Sequence, residues 1–211
     1  SYHDYRYNDI TNYIDAAMFL ADNGIPAIRM GSVVEKALSI NHVGIIDYAL
    51  HNRSDFADVF LAAHCKFFLG DTGGLFGPAA IFGVPFAAVN LTPLRIAPRT
   101  SLDIFIPKKY RYKDTQKFLT IREIIDLGAH EWGRTEKYTR AGIDVVENSS
   151  EEILDLVIEM NARLDGTWIE DDNDEELQSQ YRSMFPKNCA IVGHPSRIGS
   201  YFLRKNAWIL N

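Results

Sequence analysis

The chain has 211 residues, 46% of them hydrophobic and 24% charged, with a formal net charge of −6. That is enough chain for one good core in an ordinary soluble protein, and the acidic balance argues against broad nucleic-acid binding, whose affinity rests on neutralising phosphates. No apolar run approaches the length of a membrane-spanning helix and no secretory h-region is present.

In chain order, Ser1–Asn8 is aromatic and polar and carries no strand. Asp9 or Thr11 can cap a helix running to about Asn23, with Ile10, Ile14, Ala17 and Ala21 on one face and Gly24 past its end. Pro26–Met30 reads as a strand closed by Gly31, and Gly44–Tyr48 as a second short strand. Ser54 caps a helix that turns Phe56, Val59, Phe60 and Ala63 inward. Because an α/β half of this kind normally begins with a strand, the first strand and an N-terminal domain are expected upstream of Ser1.

The stretch Cys65–Asn90, CKFFLGDTGGLFGPAAIFGVPFAAVN, organises the rest. Cys65–Leu69 is an apolar run of the kind buried in a parallel sheet. Gly70, Gly73 and Gly74 supply a turn through positive φ or close backbone approach. Leu75–Phe82 has room for about two helical turns, with Pro78 near the start and Gly83 past the end. Val84–Asn90 is the next strand. Amides at such a turn suit a phosphate. The pattern is neither GxGxxG nor GxxxxGK[ST], which removes support for nicotinamide cofactors and P-loop chemistry. A plain strand-to-helix turn remains the alternative. Strands at 26–30, 44–48, 65–69 and 84–90 predict a doubly wound parallel sheet, and such sheets bind ligands beyond the carboxyl ends of their strands. Arg29–Ser32, Asp71–Gly74 and Asn90–Pro93 fall at that edge.

Beyond Pro93 the regularity weakens. Asp103–Pro107 is a further strand or an extended segment, and Lys108–Lys113 reads as a solvated basic loop, or else as an acceptor or membrane-surface contact. Thr120-x-x-Glu123 and Ser149-x-x-Glu152 fit capping boxes. The second opens a helix to Leu164 with Ile153, Leu156, Val157 and Met160 on one face. Between the two, Ile143–Glu147 is the last clear strand. Residues 1–165 are taken as the α/β domain. Residues 166–211 are taken as an acidic linker and helical C-terminal extension, with an amphipathic helix at Ile198–Leu210. Asp172-Asn173-Asp174 has the DxD form of a nucleotide–metal site but follows no strand, and no metal is expected. The two cysteines, Cys65 and Cys189, form neither a disulfide framework nor a metal spacing. Cys65 reads as an inert buried thiol and the reducing cytosol as the compartment.

Two resemblances attach to these residues. GDTGGLFGPAAIFGVPFAAVN is similar to the phosphate-loop segment in the C-terminal domain of GT-B glycosyltransferases, the heptosyltransferase type in particular. YRYNDITNYIDAAMFLADNGIPAIRMG, IIDYA, RSDFADVFLAAHCKFFLGDTGG, IFIPKKY, FLTIREI and RIGSYFLRKNAWIL resemble an uncharacterised bacterial family assigned to glycosyltransferases of surface-polysaccharide clusters. The resemblance implies a Rossmann-like, GT-B C-terminal half that binds a nucleotide-diphosphate sugar, with no cofactor. The sugar would pass to a glycan or lipid-linked acceptor in the cytoplasm or at the inner face of the membrane, peripheral membrane association and homo-oligomers being compatible with it. It carries the phosphate-loop role onto Asp71, Thr72, Gly73 and Gly74.

Such a transfer needs stabilisation of a departing diphosphate and a base for the acceptor hydroxyl. The amides of Thr72–Leu75 suit the first task. Arg29, beside Gly31, is the expected side-chain cation, with a surface salt bridge as its alternative. Arg6, Arg95 and Arg99 are weaker candidates, and Asn90 and Thr92 could hold base or ribose. No base is evident. Asp71 either bonds the turn's amides or faces the donor sugar, while Asp55 and Asp58 serve the start of their helix. The six histidines form no HxH or HExxH pair, and His64 reads as a partner of its helix's C-terminal end. The competing readings are a sugar-nucleotide 2-epimerase and a non-catalytic α/β module that binds a nucleotide or a partner.

Overall fold

Residues 4–34, 36–51 and 53–211 are described by the computed structural model; His3 lies outside them. Asp9 accepts a hydrogen bond from the Thr11 amide and starts a 3-10 turn, Ile10–Tyr13, which runs into helix α1 (Ile14–Asp22). Gly24, at φ +76°, takes the left-handed conformation that ends it. Strand β1 (Ala27–Ile28) pairs in parallel with β2 (Ile45–Ile46) as a two-stranded sheet. The Ser54 hydroxyl accepts from the Ala57 amide and caps α2 (Asp55–His64). Then come β3 (Phe68–Gly70), α3 (Phe76–Ile81), β4 (Phe86–Leu91) and β5 (Ile104–Pro107).

The chain continues through β6 (Lys109–Tyr112), α4 (Ile121–Asp126), α5 (Thr135–Arg140) and β7 (Ile143–Val146), β6 and β7 pairing antiparallel. Helix α6 (Ser150–Leu164) is followed by α7 (Asp174–Ser183), α8 (Ala190–Gly193), β8 (Arg197–Ile198) and α9 (Ser200–Lys205). The main sheet has four strands in the order β3-β4-β5-β8, all parallel. The molecule is thus a mixed α/β structure built on a four-stranded parallel sheet. Every residue of β4 and β5 is buried, as expected of central parallel strands. Ile153, Leu156, Val157 and Met160 of α6 complete the core over them.

Local signals are realised closely. Both capping boxes form, Thr120 with Glu123 and Ser149 with Glu152, each hydroxyl taking an amide while the glutamate returns to the cap. Gly83 and Gly128 sit at φ +72° and +68° after their helices.

Several longer-range expectations are corrected. The four strands from 26 to 90 belong to two sheets, not one, because β1 and β2 pair only with each other among the described residues. The third strand starts at Phe68, since Cys65 is spent capping the end of α2. α1 buries Ala16 and Leu20 rather than the predicted face. On α2 the expected inward residues are reversed: Phe56 is 77% exposed and Val59 and Phe60 are largely exposed, whereas Asp58 and Ala62 are buried. Asp58 takes bonds from the Tyr48 hydroxyl at 3.1 Å and Arg53 at 2.6 Å, so it does more than favour the helix dipole.

The Lys108–Lys113 run contains strand β6 of a two-stranded antiparallel ribbon rather than a loop. Lys108 and Tyr110 are buried, Lys109 pairs with Glu152, and Arg111 and Lys113 face Asp144. Lys109, Arg111 and Lys113 are thus each set against a carboxylate of this chain, while Lys113 stays exposed. Residues 166–211 form no separate tail. Their expected helix at 198–210 begins as β8 of the main sheet, and Tyr181, Phe185, Phe202 and Leu203 join the same core as Phe86 and Ile104. Among the described residues no helix is long and apolar enough to cross a membrane.

Candidate functional site

The turn after β3 is held by one carboxylate. Asp71 Oδ1 accepts the Gly73 amide at 2.8 Å and Oδ2 accepts the side-chain amide of Asn8 at 2.7 Å. Asp71 therefore orients the turn, the first of its two expected roles. None of Gly70, Gly73 and Gly74 has positive φ; close approach applies at Gly73, where a Cβ would lie 2.8 Å from Asp71 Oδ1, and not at Gly74, where a Cβ meets nothing within 4 Å. Among the described residues no hydrogen bond takes the amides of Thr72, Gly74 or Leu75. Those three N–H groups are the turn's capacity for an anion. α3 has only six residues, so this capacity rests on the turn rather than on a helix dipole.

The turn opens into a cleft of about 1160 Å³. Arg6, Arg29, Gly31, Asp71, Gly73, Gly74 and Leu75 all line it, and Thr72 lies within the turn. The cleft is also lined by Ile14, Ala17 and Leu20 of α1 with Tyr13 of the preceding 3-10 turn, and by Leu61 and His64 of α2 with Cys65 just after it. The structure thus brings together two of the three sheet-edge segments that the strand pattern singled out, those after β1 and after β3.

The other expected residues fall elsewhere or are already occupied. Arg29 is neither a free cation nor a surface residue: its side chain is 8% exposed and donates to Asp47 at 3.1 Å and to the Lys36 carbonyl at 2.7 Å. Asp47 also accepts the Leu38 amide, so this pair ties down the chain between β1 and β2. Arg6 donates from Nε to the Tyr5 hydroxyl at 3.1 Å, its guanidinium over the Tyr5 ring. Asn90 is buried and exchanges backbone-to-side-chain bonds with Asn148 in both directions, at 2.6 and 2.7 Å. Thr92 is buried against the Tyr110 hydroxyl at 3.0 Å. Neither lines the cleft, each being held by these buried partners. Arg95 pairs with Glu131 at 3.5 Å, and the Arg99 amide is bonded to Asp103, both away from the cleft.

Sequence reasoning missed the polar layer behind the turn. Asn8 carries no motif, and Lys108 was hidden in a basic run. Lys108 is buried with Nζ 2.6 Å from the Tyr7 carbonyl, and burial lowers its pKa against the opposing pull of Glu147 and Asp71. Glu147 accepts the Asp9 amide at 2.8 Å, and Tyr13 bonds Asn90, its phenol pushed up by burial. Two carboxylates and one ammonium are so arranged at the carboxyl ends of β3 to β5. His64 sits with Nδ1 2.8 Å from the Phe60 carbonyl, the helix-end role expected of it. Burial raises the thiols of Cys65 and Cys189, which makes both poor nucleophiles. The DxD carboxylate Asp174 is fully enclosed and bonded by Arg204 and the Asp171 amide. No group of three His, Cys, Asp or Glu side chains suited to a metal occurs among the described residues.

Comparison with family models, with curated proteins and with solved structures finds no match to the chain.

Proposed function

We propose that the Asp71 turn binds the diphosphate of a nucleotide-diphosphate sugar and that the chain is the donor-binding part of a GT-B-type glycosyltransferase of surface-glycan synthesis. The observation that carries this reading is the set of three unbonded amides, Thr72, Gly74 and Leu75, on a turn pinned by Asp71 at the mouth of a large cleft. Preorganised amides stabilise charge that develops on a leaving diphosphate without reorganising at the moment of reaction. The finer fold assignment, a doubly wound Rossmann-like sheet, belongs to the same proposal. It is supported by parallel strands on both flanks of the cleft and by ligand-facing loops at their carboxyl ends. Arg6 is the cation best placed to assist, since Arg29 is engaged by Asp47. Asp71, with both oxygens bonded, positions the turn rather than taking the acceptor's proton. The acceptor would be a glycan or lipid-linked hydroxyl.

A non-catalytic nucleotide-binding module is favoured by one observation: the cleft's best-placed carboxylate and its most buried arginine are both committed to the protein itself. Calorimetry of UDP, GDP, ADP, CMP and TDP against the chain tests the shared claim. One nucleotide should bind selectively, and Gly74→Val should abolish that binding with little loss of stability. A Cβ at Gly74 meets nothing within 4 Å, so the valine adds bulk to the cleft and not strain to the turn. Unchanged affinity in Gly74→Val sinks the phosphate site. Release of sugar to water or to an acceptor separates the transferase from the module, and conversion of the donor sugar without an acceptor would mark an epimerase.

A further inference from the structure

The cleft has a second property, independent of any nucleotide: its two long sides are open strand edges. Among the described residues β1 pairs only with β2, and β3 only with β4. The amides of Ala27 and Arg29 both point to β2, reaching the carbonyls of Gly44 and Ile46 at 2.8 Å. Successive residues of a strand aim their backbone groups to opposite sides, so Ile28 presents its N–H and C=O away from β2. On β3 the Phe68 amide reaches the Pro85 carbonyl at 2.8 Å, and Leu69 by the same alternation faces away from β4. Outside the β1–β2 and β3–β4 ladders, no backbone hydrogen bond among the described residues takes the groups of Ile28 or Leu69. Both residues line the cleft, between apolar walls that include Ile14, Ala17, Leu61 and Phe67.

We propose that this cleft is the seat of one further β-strand, parallel to β1 and β3, supplied by polypeptide upstream of the 211-residue chain. A strand there would satisfy both edges at once and join the two sheets in the order β2-β1-strand-β3-β4-β5-β8. Strand order would then reverse at the inserted strand, the arrangement of a doubly wound sheet. The path of the chain fits this occupant better than a second copy. A parallel strand in the slot emerges at the carboxyl ends of its neighbours, beside Gly31 and Asp71. Asn8 is already bonded to Asp71 there, at 2.7 Å. The chain then enters α1, which lines the slot through Ile14, Ala17 and Leu20, and it reaches the start of β1 after Gly24. That is the course of a β-α-β crossover whose first strand is the slot. Apolar walls on both sides call for an apolar run rather than an alternating one.

Amide hydrogen exchange tests this on two proteins, the 211-residue chain and the same chain extended upstream to its natural start. Ile28 and Leu69 should be protected by a further factor of about 100 or more in the extended chain, while Ala88 and Ile106 stay equally slow in both. Rapid exchange of Ile28 and Leu69 in both proteins overturns the proposal, as does a natural start at Ser1. Slow exchange in both would mean that β1 and β3 pair directly, which also overturns it. Protection of the 211-residue chain that appears only with a dimer in sedimentation reassigns the slot to a second copy. An oxidised Ile28→Cys/Leu69→Cys pair, made with Cys65→Ser, gives an independent reading. Two strand spacings, about 9.6 Å, exceed the ~4.4–6.8 Å between Cα atoms that a disulfide spans. No cross-link is expected, and ready oxidation to a disulfide overturns the slot.

Discussion

The half of the molecule around β4, β5 and β8 and the half around β1, β2 and β3 are written in the same language, short apolar parallel strands alternating with helices, yet only the first has fully buried strands. β4 and β5 are buried residue by residue, with α6 packed across them and the buried Asn90–Asn148 pair linking the end of β4 to the start of α6. β1 and β2 stay half open, α2 shows Phe56, Val59 and Phe60 to solvent, and α3 shows Ile81 and Phe82. A parallel sheet is normally covered on both faces, and among the described residues that cover is complete only over β4 and β5. The open half is also where the candidate site lies, the Asp71 turn sharing its cleft with residues of β1 and β3.

The sharpest way to break this contrast is to cut side chains from both halves. Leu156→Ala should cost about 2–5 kcal/mol in urea denaturation, because a fully enclosed side chain leaves a cavity behind. Asn148→Ala should cost about 1–3 kcal/mol, since it leaves the Asn90 amide and the Pro107 carbonyl buried without partners. The same variant should leave nucleotide affinity unchanged if Asn90 is structural; a large loss of affinity would restore Asn90 to the site.

An acid titration sharpens the comparison from the closed side. Burial tends to raise the Asp174 carboxyl, but the bonds from Arg204 and the Asp171 amide outweigh it and hold the group at about 2. A folded value below the unfolded one, ~3.9, means stability that is present above about pH 4 and lost as the pH falls toward 2. The wild-type protein should lose roughly 1–2 kcal/mol over that window through this group. Asp174→Asn should be less stable at neutral pH and show a flatter acid limb; an unchanged limb would remove the pair from the stability balance. The smallest effect is expected on the open half. Phe56→Ser should shift stability by no more than about 0.5 kcal/mol, as an exposed substitution away from packed features does. A loss above about 2 kcal/mol there would show that α2 is covered in solution and that the asymmetry between the halves is not real.

What was legible in the sequence is what depends on a few adjacent residues. Asp9, Ser54, Thr120 and Ser149 announced helix starts because a side-chain oxygen reaches an amide two or three residues on. Gly24, Gly83 and Gly128 announced helix ends because their φ values suit a residue without Cβ. Asp71 and Gly73 belong to the same class, a carboxylate and an amide two residues apart. Arg29 was partly legible: its place at the strand end was foreseen, but not the partner, Asp47, which lies 18 residues away.

By itself, then, the sequence determined the caps, the turn, the apolar strands and hence the mixed α/β class, all set by local backbone geometry and periodicity. Only the tertiary structure decided that Asn90 and Thr92 face inward, that Lys108–Lys113 is a paired ribbon, that 197–198 completes the main sheet and that β1 and β3 leave a slot between them. The reason is physical. A residue's side of a sheet and a charge's partner follow from which strands become neighbours, and that choice is made between segments up to a hundred residues apart, where no local pattern records it.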